Sequence, residues 1–292
     1  MVSFLMHPDT LQEEFQELQK IQFLLPRDTI SDIKFNFHET ETWAKVFWRR
    51  RNNHATREDP ELPFVFQQNP STILEVGAGY GRVLKKLIEK NEWHLDSMTF
   101  QGIDICTHFK PYFHLYQSEY PSLKNCDIIY EDFLTTSAFK EISFDVILLP
   151  MNTLPSFSFS TLDALFAAVQ NHLTEDGIFL FSTYKIQGQL SNSLDRWKGH
   201  DGELLLELGM DVIAAEYYEF PAAKTEYGAQ SVTYMCYNTF SRDYTLKTRE
   251  IYRHTLYFVS QPILHELIET SGLSIKILDD SSHSLVYGLI GS

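Results

Sequence analysis

The sequence has few cysteines and no long apolar segment. Its three cysteines, Cys106, Cys126 and Cys236, are an odd number without a C-x-x-C spacing, which argues against a disulfide framework and favours a reducing compartment. No uninterrupted apolar run approaches the length of a membrane span, and the first residues lack the basic and apolar segments of a signal peptide. We therefore expect a cytoplasmic protein without a membrane partner. A secreted bacterial effector would have the same features.

Positive charge is also scarce. Lys and Arg number 24 against 39 Asp and Glu, so the net charge is −15. Because nucleic-acid affinity depends largely on neutralising phosphates, this balance argues against a nucleic-acid partner. One basic cluster, Arg49 to Arg51 with Arg57, fits the solvated end of a helix, where cations suit the helix dipole; a local anion site is the alternative.

The most informative segment is 73–82. A short apolar run ends in an acidic residue and then in three glycines at alternate positions, and helical spacing begins directly afterwards. A strand, a glycine turn and a helix are how an α/β sheet presents backbone N–H groups to a nucleotide-like cofactor, and glycine avoids a Cβ that would hold the ligand away. The candidate cofactor residues in this motif are Glu75, Gly77, Ala78, Gly79 and Gly81.

The glycine spacing separates two kinds of cofactor. A dinucleotide fingerprint reads G-x-G-x-x-G, and its third glycine would fall at the position of Arg82. The pattern present is G-x-G-x-G preceded by Glu75, which resembles the first motif of class I S-adenosylmethionine-dependent methyltransferases. An NAD site and a plain strand-to-helix turn are the alternatives.

Three later segments resemble further motifs of the same family, in the same order. The resemblance implies that Asp104, at the end of the second strand, binds the ribose hydroxyls of the cofactor. It implies that Asp132 and Phe133, after the third strand, contact adenine, and that Asn152, after the fourth, lies beside the reactive methyl. The cofactor residues implied in these segments are Asp104, Ile105, Asp132, Phe133, Leu149 and Asn152.

The order of strand and helix patterns predicts an α/β fold. A helix is expected over 161–173 and a fifth strand over 178–183, with a turn between them. Two final strands, 273–278 and 284–290, follow a further helix. The resemblance implies a Rossmann-like seven-stranded methyltransferase fold, which is a parallel sheet with one antiparallel strand, together with N-terminal helices and a small antiparallel β cap.

Four regions make up the predicted organisation. We expect an N-terminal helical layer over 1–70, a cofactor-binding core over 71–187, a loop and antiparallel cap insert over 188–259, and a C-terminal helix with the last two strands over 260–292. Three tyrosine-rich runs of the insert have the composition of strands. The segment 188–202 is polar and rich in turn residues, which predicts a loop.

The resemblance implies transfer of a methyl group from S-adenosylmethionine to a small-molecule acceptor, with S-adenosylhomocysteine as the product. Because a fold does not determine function, a catalytically silent or protein-directed module that binds S-adenosylmethionine is the alternative. No metal is expected, since the series Cys106, His108 and His114 matches no standard zinc spacing.

No single catalytic base stands out in the sequence. The candidate catalytic residues are Tyr184, Tyr218, Arg253 and His254. A histidine has a suitable pKa for proton transfer, but the chain has 11 of them. Arg253 has two interpretations: it could bind a substrate carboxylate through two parallel hydrogen bonds, or it could make a structural hydrogen bond.

Overall fold

The computed structural model describes residues 8–49, 59–89, 98–151, 153–184, 196–199, 212–241, 243, 245–280 and 284–291. The helices in these ranges are α1 Pro8–Lys20, α2 Glu41–Arg49, α3 Leu62–Gln68, α4 Arg82–Glu89, α5 Lys110–Glu119, α6 Leu162–His172 and α7 Gln261–Thr270. The strands are β1 Ile33–Lys34, β2 Thr72–Val76, β3 Thr99–Ile103, β4 Asp127–Ile129, β5 Phe144–Leu149, β6 Leu173–Tyr184, β7 Arg196–Gly199, β8 Val212–Thr225, β9 Gly228–Phe240, β10 Leu246–Val259, β11 Leu273–Asp280 and β12 Ser284–Gly291. None of the described helices is long and apolar enough to cross a membrane.

The chain divides into two compact units. The first unit consists of Met1–Phe37, Asn192–Pro221 and Val232–His254, and the second of His38–Ser191, Ala222–Ser231 and Thr255–Ser292. Both units are therefore discontinuous in sequence. The long strands β8 and β10 begin or end in one unit and continue into the other.

A seven-stranded sheet forms the centre of the second unit. Its strand order is β11-β12-β6-β5-β2-β3-β4. The pairs β2–β3, β2–β5, β3–β4 and β5–β6 are parallel, whereas β12 runs antiparallel to both β6 and β11. This arrangement confirms the predicted Rossmann-like fold, a parallel sheet with one antiparallel strand.

The largest difference from the predicted strand bounds lies at β6. This strand begins at Leu173 rather than at position 178, because the predicted turn is an irregularity within the strand: Phe144 pairs with Leu173, and Val146 pairs with Ile178. A Cβ on Gly177 would lie 2.9 Å from the carbonyl oxygen of Phe144. Glycine is therefore what lets the chain return to β5 at this point.

Alternate residues of β2 enter two apolar layers of the second unit. Ile73 packs in the layer that contains residues of α2, α3, α4 and α5, whereas Leu74 and Val76 pack in the layer that contains residues of α6 and α7. Because side chains alternate along a strand, Glu75 points to the same face as Ile73. An acidic side chain is thus placed on a buried face of the central strand.

The other sheet has five strands in the order β1-β10-β9-β8-β7. Short connections make β8, β9 and β10 antiparallel neighbours, as the tyrosine-rich runs predicted. Two strands were not predicted. β7 pairs antiparallel with β8, so the loop prediction for 188–202 was wrong at Arg196–Gly199, while the rest of that segment lies outside the described residues. β1 pairs in parallel with β10. Both owe their strand structure to partners that are distant in sequence.

Candidate functional site

The glycine turn joins β2 to α4 at the carboxyl edge of the parallel strands. Gly77, Gly79 and Gly81 have φ values of +80°, +58° and +88°, a region that residues with a Cβ rarely adopt. The N–H groups of Gly77 and Ala78 both donate to the carbonyl oxygen of Ile103, at 2.8 and 3.1 Å, and tie the turn to β3. The turn leads into the N-terminus of α4, where backbone N–H groups without helical partners favour a polar or anionic ligand group.

Protein side chains pack closely against the first and third glycines. A Cβ on Gly77 would lie 3.2 Å from Cγ2 of Thr153, and a Cβ on Gly81 would lie 3.2 Å from the ring of Phe113. The hydroxyl of Thr153 donates to the carbonyl oxygen of Pro150 and holds the side chain in place. These contacts were not visible in the sequence, since both partners are far from the turn along the chain.

Aromatic residues of α2 border the middle of the turn. The ring centroids of Trp43 and Phe47 are 4.9 Å apart, and Phe47 lies 5.7 Å from Tyr80 and 5.9 Å from Phe109. A Cβ on Gly79 would contact both Phe47 and Phe109. The helix α2 therefore supplies an apolar wall next to the glycine turn.

Asp104 follows β3, and two backbone N–H groups hold its carboxylate. The N–H of Gly79 donates to Oδ2 and the N–H of Cys106 donates to Oδ1, both at 2.8 Å. Burial raises the pKa of Asp104 to about 6 in spite of these two bonds. Each carboxylate oxygen keeps a further lone pair, so the group can still accept hydrogen bonds from hydroxyls. The next residue, Ile105, is 45% exposed and presents an apolar surface beside the acid.

The remaining predicted cofactor residues follow β4 and β5. Oδ1 of Asp132 accepts a hydrogen bond at 3.0 Å from the backbone N–H two residues later, and Phe133 and Leu149 are buried in one apolar layer. Asn152 lies outside the described residues. Because β2, β3, β4 and β5 are parallel neighbours, their carboxyl ends bring the glycine turn, Asp104, Asp132 and Leu149 to one edge of the sheet.

A buried ion-pair cluster lies on the α4 side of the turn. Arg82 donates from Nη1 and Nη2 to the two carboxylate oxygens of Asp59, both at 2.7 Å, and Lys86 donates to Oδ2 of Asp59 at 2.6 Å. The side chain of Asp59 is fully buried. The charge-assisted bonds from the two cations keep the pKa of Asp59 below its ordinary value although burial acts in the opposite direction.

Two further carboxyl groups in this region are not compensated in this way. Glu61 and Glu75 are 0% and 2% exposed. Both carboxyl oxygens of Glu61 and Oε2 of Glu75 have no hydrogen-bond partner among the described residues. Burial raises the pKa of Glu61 to about 7 and raises the pKa of Glu75 well above its ordinary value. Glu75 was predicted from the glycine motif, whereas Glu61 was missed; its signal was a carboxylate directly before the apolar helix α3.

The structure places three of the four catalytic candidates in the first unit. Tyr218 is buried in the apolar core of that unit, and the ring of His254 lies 6.3 Å from that of Phe37. Tyr184 is the last residue of β6, in the second unit, and its side chain lies outside the described part of the chain.

Arg253 forms an ion pair with Glu14 of α1. Its Nε donates to Oε2 of Glu14 at 2.8 Å, and its Nη2 donates to Oε1 of Glu14 at 2.9 Å. The hydroxyl of Tyr234 donates to Oε2 of the same carboxylate at 2.6 Å. This geometry favours the structural interpretation of Arg253, because the edge of the guanidinium that would hold a substrate carboxylate already holds Glu14.

The cysteines and the histidines near them show no metal-binding arrangement. All three cysteines are free and buried. Sγ of Cys106 lies 3.7 Å from the carbonyl oxygen of Thr40, while His108 and His114 are exposed. No group of three or more His, Cys, Asp or Glu residues in the part of the chain that the structure covers could hold a metal ion.

Comparisons with known proteins identify the fold. No protein-family model and no curated protein matches the sequence. An S-adenosylmethionine-dependent methyltransferase from Clostridium acetobutylicum ATCC 824 matches with a TM-score of 0.64 and 14% identity, over 86% of this chain and 98% of that one. The CcbJ methyltransferase from Streptomyces caelestis matches with a TM-score of 0.64 and 13% identity, over 88% and 98%. The sugar N-methyltransferase KedS8 from Streptoalloteichus sp ATCC 53650 matches with a TM-score of 0.56 and 12% identity, over 96% and 93%. The chain therefore has a class I methyltransferase-like fold.

Proposed function

We propose that this chain is an S-adenosylmethionine-dependent methyltransferase that transfers a methyl group to a nitrogen, oxygen or carbon nucleophile of a small-molecule acceptor. The observation that carries the proposal is the glycine turn, whose three positive-φ glycines lie beside the carboxylate of Asp104. The residues fit this cofactor, since Oε2 of Glu75 is buried next to the turn without a partner. An NAD site has less support, because the guanidinium at the position of the third dinucleotide glycine, Arg82, is bound to Asp59.

Each predicted contact would hold a different part of the cofactor. Asp104 would accept hydrogen bonds from the ribose hydroxyls, and Ile105 and Phe133 would offer apolar surface to the adenine ring, with Asp132 accepting from its amino group. The glycine turn would hold the methionyl part through backbone N–H groups. When bound, the cofactor supplies the activated methyl group on its sulfonium, so the protein needs only to orient the acceptor, exclude water and, for some acceptors, take a proton.

The second unit contains the residues best suited to those tasks. The aromatic wall formed by Trp43 and Phe47 borders the turn and would keep water from it. Tyr184 is the candidate base that we retain, because it ends a strand of the sheet that carries the cofactor residues. A small acceptor agrees with the net charge of −15, and the sugar N-methyltransferase KedS8 makes amino sugars the first class to screen.

Ligand-dependent thermal stability tests the cofactor assignment. A ligand present at a hundred times its Kd stabilises the folded protein by about 2.7 kcal/mol. We expect S-adenosylmethionine and S-adenosylhomocysteine to raise the Tm of the wild type, and NAD to leave it unchanged. In Gly79→Arg the shift should disappear, because the new side chain occupies the turn, while Gly291→Arg should keep it, because the space around Gly291 is open. No shift with either ligand in the wild type would contradict the proposal.

Asp104→Ala tests the ribose contact separately. Loss of the charge-assisted acceptor should weaken binding of S-adenosylhomocysteine by roughly 10- to 100-fold. Isothermal titration of the variant against wild type measures the change, and equal affinities would remove Asp104 from the site. Formation of S-adenosylhomocysteine with a panel of small acceptors then separates an enzyme from the alternative. Binding without turnover would favour a catalytically silent or protein-directed module.

A further inference from the structure

The buried charges around Glu75 do not balance. Arg82, Asp59, Asp104 and Glu61 all act electrostatically on Glu75, and Lys86 completes the group through its bond to Asp59. The group thus contains four carboxyl groups and two cations. The carboxyl groups are Asp59, Glu61, Glu75 and Asp104, and the cations are Arg82 and Lys86. If every member were ionised, two negative charges would lack a counter-ion among the residues that the structure describes.

The deficit is confined to two of the carboxyl groups. Asp59 accepts three hydrogen bonds from the two cations, and both oxygens of Asp104 accept backbone N–H groups. Three oxygens of Glu61 and Glu75 accept no well-aligned hydrogen bond from the described residues, and the nearby hydroxyl of Ser182 offsets only part of the effect of burial on Glu61. An unpaired carboxylate in such a position is costly, and either a proton or a nearby positive charge removes that cost.

Both glutamates lie near the edge of the sheet where the glycine turn is found. Glu75 precedes Gly77 by two residues and pairs with Gly102 of β3. The hydroxyl of Ser182 lies near the carboxyl group of Glu61 and lowers its pKa, whereas burial raises it. Ser182 follows Phe181, the residue of β6 that pairs with the last residue of β5. The pair therefore lies next to the proposed cofactor site rather than at the opposite end of the sheet.

We propose that Glu61 and Glu75 form a charge-matching pair that gives up a proton to solvent when a positively charged ligand binds at the glycine turn. The inference rests on the proposed function, because S-adenosylmethionine carries two positive groups, the α-ammonium and the sulfonium, against one α-carboxylate, which the backbone N–H groups of the glycine turn would hold. S-adenosylhomocysteine keeps only the α-ammonium, and 5′-methylthioadenosine has neither. The three ligands thus distinguish the two sources of positive charge.

Ligand affinity should then depend on pH in a defined direction. Burial raises the pKa of Glu61 to about 7, so at lower pH the ligand must displace a proton in order to bind. Affinity should rise up to about tenfold per pH unit as the pH approaches 7, and level off above it. Affinity for 5′-methylthioadenosine should lack this dependence and vary only with Asp104, whose pKa is about 6 and which would contact the ribose.

Calorimetric titration in two buffers with different ionisation enthalpies measures the released proton directly. At about pH 6 we expect close to one proton per S-adenosylmethionine bound. Release with S-adenosylhomocysteine as well would identify the α-ammonium as the source, and release with S-adenosylmethionine alone would identify the sulfonium. Glu61→Gln should lower the release to the amount seen with 5′-methylthioadenosine, which reports Asp104 alone, while Glu175→Gln, which changes an exposed glutamate, should keep it.

The outcomes separate this inference from the function on which it rests. Binding of S-adenosylmethionine without proton release overturns the charge-matching pair and leaves the proposed function standing. Absence of binding by all three ligands overturns both. If Glu61→Gln does not fold, the wild type alone decides, because its proton release must be present near pH 6 and fall away above about pH 8. A release that does not change with pH overturns the inference.

Discussion

Each unit of this protein contains buried charged residues, and the two sets differ in how they are compensated. In the first unit Glu14 accepts two bonds from Arg253 and one from Tyr234, so the carboxylate is matched by its own neighbours. In the second unit Glu61 and Glu75 keep carboxyl oxygens without partners. A matched buried pair is what a structural role needs, whereas an unmatched group next to a cofactor motif is what a ligand site needs.

A second arginine of the first unit follows the same rule. Arg249 donates from Nη2 to Oδ2 of Asp28 and to the carbonyl oxygen of Phe23, both at 3.0 Å, and from Nη1 to Oδ1 of Asn238 at 3.1 Å. Both arginines of β10 that point into this unit are thus bound to protein acceptors. The contrast favours a structural role for Arg253 in the first unit and agrees with the proposed ligand site in the second.

The largest expected effect comes from breaking the matched pair. Arg253→Ala would leave Glu14, whose side chain is 11% exposed, without its cation, and breaking such a largely buried pair destabilises by up to about 3–5 kcal/mol. Denaturant unfolding, followed by a probe in the first unit, measures the loss. Binding of S-adenosylhomocysteine should be unchanged at temperatures where the variant is folded.

The double variant Glu14→Gln with Arg253→Met serves as the control. It removes both charges together, so it should recover much of the stability that Arg253→Ala loses. Full stability of Arg253→Ala combined with loss of turnover would reverse our assignment and restore the interpretation of Arg253 as a substrate ligand.

Local sequence patterns were enough to predict the framework of the second unit. The strands β2 and β3 end directly before Gly77 and Asp104, and β5 is a short apolar run that ends before Pro150. Buried parallel strands are typically short apolar runs of this kind. Asp104 was placed correctly at the end of β3, but its bond to the N–H of Gly79 depends on how the two strands align. The strands β1 and β7 were missed because two and four residues carry no periodicity, and only pairing makes them strands.

The sequence predicted only one of the two buried glutamates. Glu75 belongs to the glycine motif, whereas Glu61 stands in a proline-bounded approach to the sheet that reads as irregular. Its burial results from the packing of α3 against the apolar layer of β2, a contact between separate elements. Sequence periodicity reports which face of one element is apolar, and it does not report which polar residue a neighbouring element will bury there.

The next largest effect concerns stability and pH in the second unit. The pKa of Glu61 is about 7 in the folded protein against an ordinary 4.5, so the protonated form favours folding. Stability from this group is fully present below about pH 4.5 and is lost as the pH rises through about 7, a loss on the order of 3 kcal/mol. Glu61→Gln should remove that part of the slope and be more stable than the wild type at about pH 8.

Urea unfolding at several pH values compares the two proteins, with Glu175→Gln as the exposed counterpart. Asp104 also has a raised pKa, so part of the slope should persist in Glu61→Gln at lower pH. Identical curves for wild type and Glu61→Gln would mean that Glu61 is compensated after all. The difference between the two units would then disappear.

The smallest expected effect tests whether an ion pair must be buried in order to contribute strongly to the stability of the first unit. Lys34 of β1 donates to Oε1 of Glu250 at 2.6 Å, and its Nζ lies 5.5 Å from the centroid of the Tyr252 ring. The geometry is as close as in the buried pairs, but the Lys34 side chain is 52% exposed. Lys34→Ala should therefore cost only about 0–1 kcal/mol, and less as salt is added. Denaturant unfolding at low and high salt measures the difference. A loss as large as that of Arg253→Ala would show that the first unit depends on ion pairs wherever they lie, and burial would no longer explain the contrast between the two units.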